Sequence, residues 1–286
     1  MEGFAGLVGR GVARHGDRPL LTWYDDERSE RVELSWRTFG NWVAKVANLL
    51  AGELGVAPGD RVGAVLVDHW QAATVLAGCW LAGAGVVAVD PGAAPHAKRA
   101  ALAGCEAAFV REEWVAEVDG LPGPGRLVAL TADLLGRGDR DLGGALPFAR
   151  AVAAMPDRFA GEAADPDPAV DGAGMAALLA DAAALAGEAG LGDGDRLLSG
   201  LGLLDRRGAV AGLLAPLLAG AGVVLQRAPD PASLWRRAAQ ERVTVAVLDP
   251  GQAAALPPAD PGLDLRVRAL LAPAPDGWRR LRAGPP

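Results

Sequence analysis

Two short segments carry residue types from which an anion site could be built. Asp171-Gly172-Ala173-Gly174 runs straight into an apolar helical stretch beginning at Met175. Glycines just ahead of a helix leave backbone N–H groups open to a negative ligand, phosphate above all. The second segment, Ser199-Gly200-Leu201-Gly202-Leu203-Leu204-Asp205, also lies between a short apolar run and a helical stretch. Its G-x-G-x-x-D spacing departs by one residue type from the glycine fingerprint that wraps a pyrophosphate, and the departure places a negative charge where the third glycine belongs. Gly172 and Gly174 are therefore candidate cofactor-binding residues, and Asp205, Gly200 and Gly202 candidate pocket residues. Each has a plainer reading beside it: a shortened turn for the glycines, a helix N-cap for Asp205.

Other chemistries find little to work with. His15, His69 and His96 are scattered through different segments with no metal-ligand spacing, and read as surface or helix-end histidines. Cys79 and Cys105 lie in apolar runs, where a thiol behaves as a small hydrophobe, so no disulfide framework and a reducing cytoplasmic setting are expected. No catalytic residue, metal or cofactor is expected.

The elements that must position these segments are written twice. Leu50–Val62 reads LAGELGVAPGDRV and Leu185–Leu197 reads LAGEAGLGDGDRL, an offset of 135 residues; Leu81–Val87 and Leu218–Val224 both read LAGAGVV, an offset of 137. Two echoes at nearly one offset imply a duplicated α/β unit, with its chemistry expected at the junction of the copies. In the first copy, helical spacing over Trp36–Leu54 is followed by strand Arg61–Leu66, helix Trp70–Leu81, strand Val86–Val89, helix Pro95–Ala103, and apolar runs at Ala107–Val110 and Leu127–Leu130. The second has helix Met175–Ala189, strand Arg196–Leu198, helix Arg207–Leu218, strand Val223–Leu225, helix Pro231–Glu241, strand Val243–Leu248 and the run Arg266–Leu271. Strands that are apolar on consecutive residues and separated by helices predict parallel sheets covered on both faces. Asp60-Arg61 recurs as Asp195-Arg196, and a pair that occurs twice reads as turn and strand entry. Trp42 and Trp80 fall at core positions of their helices. A hairpin over Arg18–Ser35 precedes the first unit.

The expected organisation is a hairpin and first α/β unit over 1–155, a linker rich in Pro, Gly and Asp over 156–174, a second unit over 175–272, and a tail without order over 273–286. At 286 residues and 51% hydrophobic content the chain can bury real cores. Its net charge of −7 argues against nucleic acid as a partner. The uncharged run Ala72–Val89 contains Gly83-Ala84-Gly85, and its second copy contains Pro216, so helix, turn and strand account for both better than a membrane span. The N-terminus lacks the charged and apolar regions of a secretion signal.

Several of these segments resemble the adenylate-forming superfamily of acyl-CoA synthetases, luciferases and peptide-synthetase adenylation domains. Leu34-Ser35-Trp36-Arg37-Thr38-Phe39 is similar to its first core motif, L-[TS]-Y-x-E-L. Gly55-Val56-Ala57-Pro58-Gly59-Asp60-Arg61-Val62 is similar to G-V-x-P-G-D-R-V, and Leu81 to Pro91 to the K-A-G-A-x-x-V-P-x-x-P stretch. The resemblance covers most of the chain and implies the fold of the family's N-terminal part, in a short form similar to actinobacterial proteins.

It also implies an activity for which residues are missing. The family activates a carboxylic acid with ATP and Mg, gripping the phosphates with a loop of Ser, Thr and Gly followed by Lys; that loop belongs just after Asp165–Val170. Between Ala151 and Leu198 there is no Ser, Thr or Lys. The family's adenine-contacting Tyr has no counterpart, since the single tyrosine is Tyr24, and no lysine follows Lys98 to serve as the catalytic one. In the family Asp205 falls near the acid that holds a substrate amine. The resulting expectation is a non-catalytic binding or regulatory module for an unidentified protein partner or apolar small molecule; the alternative is ATP-dependent acid activation, complemented by another chain.

Overall fold

The two copies of the G-x-x-x-G-D-R corner share the same backbone turn and the same aspartate-to-amide bond. In the computed structural model, which describes residues 3–123, 125–131, 142–227 and 231–282, Asp60 Oδ2 accepts from the amide of Ala57 and Asp195 Oδ2 from that of Gly192, both at 2.8 Å. Gly59 and Gly194 take φ of +93° and +90°, a conformation that a Cβ disfavours and glycine adopts without cost. The carbonyl of each aspartate then receives the amide of the neighbouring strand, Gly85 at 2.9 Å and Gly222 at 3.0 Å. The repeat in sequence is therefore a repeat in turn chemistry.

The strands in chain order are β1 (Pro19–Asp25), β2 (Glu30–Ser35), β3 (Arg61–Val65), β4 (Gly85–Ala88), β5 (Ala107–Arg111), β6 (Leu127–Leu130) and β7 (Leu146–Pro147). They continue with β8 (Arg196–Ser199), β9 (Gly222–Arg227), β10 (Val245–Val247), β11 (Ala269–Ala274) and β12 (Gly277–Arg282). One compact unit holds a parallel sheet ordered β4-β3-β5-β6-β7; the other holds β12-β11-β10-β8-β9-β1-β2. Within these, β4-β3-β5-β6 and β9-β8-β10-β11 have the same order and are parallel throughout. Short apolar strands such as β5 and β6 are buried along their whole length, as parallel strands covered on both faces must be.

Three expectations are corrected. The hairpin does not join the first unit: β1 pairs in parallel with β9, Leu21 to Val223 through Asp25 to Arg227, and residues 7–38 cluster with the second unit. The region from 273 is not simply a tail, because β11 reaches Ala274 and β12 runs antiparallel to it through Arg282; residues 283–286 lie outside the described residues. The segment 156–174 clusters with the first unit, anchored by Val86 N donating to Ala169 O at 2.8 Å. A helix over Phe4–His15 adds an element that the sequence reading did not include.

Helices cover the sheets. Trp36–Asn48 continues as a π-helical turn over Leu49–Glu53. A second π-helical turn, Val210–Leu214, precedes Pro216, whose ring clashes with a regular helical carbonyl four residues back. Trp80 is buried, with Phe4 edge-on to it at 5.3 Å, whereas Trp42 is half-buried and stacks on Phe148 at 6.0 Å. Among the described residues, no helix is long and apolar enough to cross a membrane.

The duplicated corner sets up a differential test. Asp60 holds one turn amide, while Asp195 additionally accepts from Thr244 Oγ1 at 2.8 Å and pairs with Arg268 at 2.5 Å. Asp60→Ala is expected to cost about 1 kcal/mol and Asp195→Ala about 2–3 kcal/mol, since hydrogen bonds to a charged group are the stronger ones. Urea titrations of the two variants check the order; equal losses would show that the added partners of Asp195 contribute nothing.

Candidate functional site

The segment that should cradle phosphates is a hairpin of minimal length. Val170 and Ala173 exchange both backbone hydrogen bonds, N to O at 3.2 Å and 2.9 Å, so only Asp171 and Gly172 are left to turn the chain. Both have positive φ, +49° and +72°, as a type I′ turn demands, and Asp-Gly is among the dipeptides that favour it. The hairpin is fixed to the first unit from one side: the carbonyl of Ala169 accepts from Val86 N and from Trp80 Nε1, the latter at 3.2 Å. Val86 and Val170 form a parallel bridge that extends the edge of β4 by one residue.

Beside this turn is a cleft of about 380 Å³, lined by β4, by Pro168, and by Arg61, Asp171 and Gly172. It holds one guanidinium and one carboxylate and no hydroxyl side chain. Gly174, two residues on, lies against the Asp167 carboxylate: a Cβ there would stand 2.5 Å from Oδ1. An anion near Gly174 would meet Asp167, and one near Gly172 would meet Asp171. The electrostatics favour a neutral or weakly polar occupant over a polyphosphate.

The second candidate segment lies in the other unit and is filled by its own side chains. Asp205 caps the short helix Arg206–Ala209, its carboxylate accepting from Gly208 N at 2.7 Å. Asp68 reaches the same turn and accepts from the amide of Leu203 at 2.8 Å. Burial pushes the Asp68 carboxyl above its ordinary range; the Leu203 amide works against this shift and the nearby Asp205 charge adds to it. Gly202 sits 3.6 Å from Asp68 Oδ2, counted from an added Cβ, and Gly200 faces Gln252, whose Nε2 donates to the Gly200 carbonyl at 2.9 Å. The structure thus brings Gly202 and Asp205 together beside Asp68 and sets Gly200 against Gln252, all in the second unit, while Gly172 and Gly174 belong to the first.

Asp68 was not singled out from sequence, because its partner amide is 135 residues away. The histidines stand at helix ends as expected, at the last residue of Phe4–His15, just before Trp70–Leu81 and in the first turn of Pro95–Leu102, but two of them are not at the surface. His15 and His69 are buried, His15 tilted against Trp36 at 4.9 Å and His69 edge-on to Trp23 at 4.3 Å, and only His96 is exposed. Burial lowers the His15 pKa, against the pull of Asp193. Among the described residues, no group of three or more His, Cys, Asp and Glu is arranged to hold a metal ion.

Two mainly parallel sheets that share a four-strand order, β4-β3-β5-β6 and β9-β8-β10-β11, are the architecture that the resemblance to adenylate-forming enzymes implies. The AMP-binding enzyme family profile matches residues 9–134. A TIGR03089 family protein of Mycobacterium tuberculosis (strain ATCC 25618 / H37Rv) is 39% identical over 231 residues, covering 79% of this chain and 90% of that relative. Acetoacetyl-CoA synthetase from Streptomyces lividans superposes with a TM-score of 0.75 at 22% identity, over 94% of this chain and 46% of its own. The N-terminal domain of FACL13 from Mycobacterium tuberculosis superposes at 0.74 and 14% identity, over 96% of this chain and 71% of its own. These likenesses establish the fold, and the chain spans about half the length of the full synthetases among them. The chain belongs to the AMP-binding, adenylate-forming enzyme family.

Proposed function

We propose that this protein is a non-catalytic member of its family, a binding or regulatory module that holds a protein partner or an apolar small molecule and does not activate acids with ATP. The observation that supports it is the Asp171-Gly172 turn. A phosphate cradle works by aiming preorganised donors at developing negative charge. At this position stand two carboxylates, Asp167 and Asp171, and a segment from Ala151 to Leu198 without Ser, Thr or Lys. Replacing a donor by a carboxylate reverses the sign of the interaction, and the single guanidinium in the cleft, Arg61, is matched there by the Asp171 carboxylate. On this reading no ATP or Mg is required. The protein works in the cytoplasm, where the buried thiols of Cys79 and Cys105 stay reduced.

The test is turnover. Incubated with Mg-ATP and a panel of carboxylic acids from acetate to long-chain and aromatic acids, the protein is expected to release pyrophosphate no faster than buffer. Acid-dependent release over many turnovers would overturn the proposal. It would favour the second reading, ATP-dependent ligation in the manner of an acyl-CoA synthetase, whose support is the fold shared with such enzymes.

A further inference from the structure

We propose that the face of helix Pro231–Gln240 that carries Arg236 is a binding site for a small phosphate-type anion. Ser233, Arg236, Arg237 and Gln240 follow one another at i, i+3, i+4 and i+7, which puts them on one face. With Asp26 from the β1–β2 turn they line a cavity of about 380 Å³, within the range of small-molecule sites. The cavity lies in the second unit and shares no residue with the Asp171-Gly172 turn.

The charges decide the ligand class. Arg237 is spoken for: its guanidinium lies over the Tyr24 ring, 3.4 Å from the centroid, donates to the Asp26 carboxylate, and gives Nη1 to Gln240 Oε1 at 2.9 Å. The other oxygen of Asp26 accepts from Gln226 Nε2 at 2.6 Å. The Asp26 charge is thereby answered by Arg237, and Arg236 remains. It is exposed, lines the cavity and has no ion-pair partner among the described residues. Because Gln240 uses its oxygen on Arg237, the end of its amide left for a ligand is the donor. A free guanidinium beside an amide N–H is an acceptor-seeking pair, and a guanidinium grips phosphate through two parallel bonds. Behind it Arg237 Nε is a buried donor without a hydrogen-bond partner; Gln226 Oε1, also unpartnered, is an acceptor and takes no part in holding an anion. The negative end of the helix dipole near Gln240 opposes an anion, so the affinity expected is millimolar.

Thermal melts with inorganic phosphate, at constant ionic strength made up with chloride, test the site. The wild type is expected to show a rise that grows with the logarithm of phosphate above the dissociation constant and reaches about 3–5 °C at tenfold above it. Arg236→Ala removes the rise, while Arg279→Ala, which deletes an exposed arginine of β12, retains it. Arg236→Gln, which keeps the bulk and hydrogen bonding of the side chain, supplies the same comparison where the alanine variant folds poorly. No rise in the wild type, or an equal rise in the Arg236 variants, overturns the proposal. Either result leaves the reading of the Asp171-Gly172 turn where it stands.

Discussion

Gly208→Ala is expected to destabilise the second unit strongly, although alanine is the better helix former. In an exposed helix this change gains about 1 kcal/mol. A Cβ on Gly208, however, would overlap the carbonyl oxygen and carbon of Gly202, and these are backbone atoms with no rotamer to yield. The Gly202 turn is pinned on either side, by Leu203 N bonded to Asp68 at 2.8 Å and by Gln252 Nε2 bonded to the Gly200 carbonyl. Overpacking against movable side chains costs about 1–3 kcal/mol; against pinned backbone we expect about 4 kcal/mol net, or a fall in Tm of about 8–16 °C. Gly187→Ala is the control, because it too is a helical glycine of the second unit and an added Cβ there meets nothing within 4 Å. A melt of Gly208→Ala within 2 °C of the parent would show that the turn is not held as described.

Glu241→Ala is expected to cost about 2–3 kcal/mol at neutral pH, a loss that shrinks as the solution is acidified. The Glu241 carboxylate is 5% exposed and receives the Tyr24 hydroxyl, Arg196 Nη2 at 2.9 Å and Arg31 Nε at 3.3 Å. Removing it takes the buried anion from Arg31 and Arg196 and leaves them Glu33, at 2.6 Å from Arg31 and 3.9 Å from Arg196, as their remaining shared carboxylate. A fully buried pair broken in this way costs about 3–5 kcal/mol; Arg31 and Arg196 are 42% and 23% exposed, so water recovers part of it. Burial by itself raises the Glu241 pKa, but the Tyr24 hydroxyl and the Arg196 and Arg31 charges outweigh it and hold the carboxyl below its ordinary value of 4.5. With the folded pKa below the unfolded one, this stabilisation is complete above pH 4.5 and is lost as pH falls through the folded value. The variant should therefore melt about 5–10 °C below the parent at pH 7, and the gap should narrow as the pH falls below 4.5. A gap that does not change with pH would remove the ion network from the explanation.

The parts of the fold that were legible are those whose causes are local. The repeated Gly-Asp-Arg corner spells out its own turn, and runs such as Ala107–Val110 are apolar on successive residues because both faces are covered. The placement of the hairpin was not legible, because the β1–β9 pairing joins residues about 200 apart. Only the continuous burial of Leu20–Asp25, in place of alternation, marks β1 as an interior strand. The Pro, Gly and Arg composition beyond residue 273 hid β12, an outermost strand whose exposed Arg279 and Arg280 guard a sheet edge. At the candidate site, the Asp171-Gly172 dipeptide carried the type I′ turn in plain view. The burial of His15 and His69 did not show, because the tryptophans that enclose them come from other elements.

The central claim is that two carboxylates and a two-residue turn have replaced the phosphate grip. Isothermal titration of the protein with Mg-ATP tests it without reference to any acid substrate. The account predicts no saturable heat up to millimolar nucleotide in the Arg236→Gln protein, where the anion site of the second unit is removed. A saturable isotherm that Asp171→Ala strengthens would contradict the claim, because it would place the phosphates at this turn.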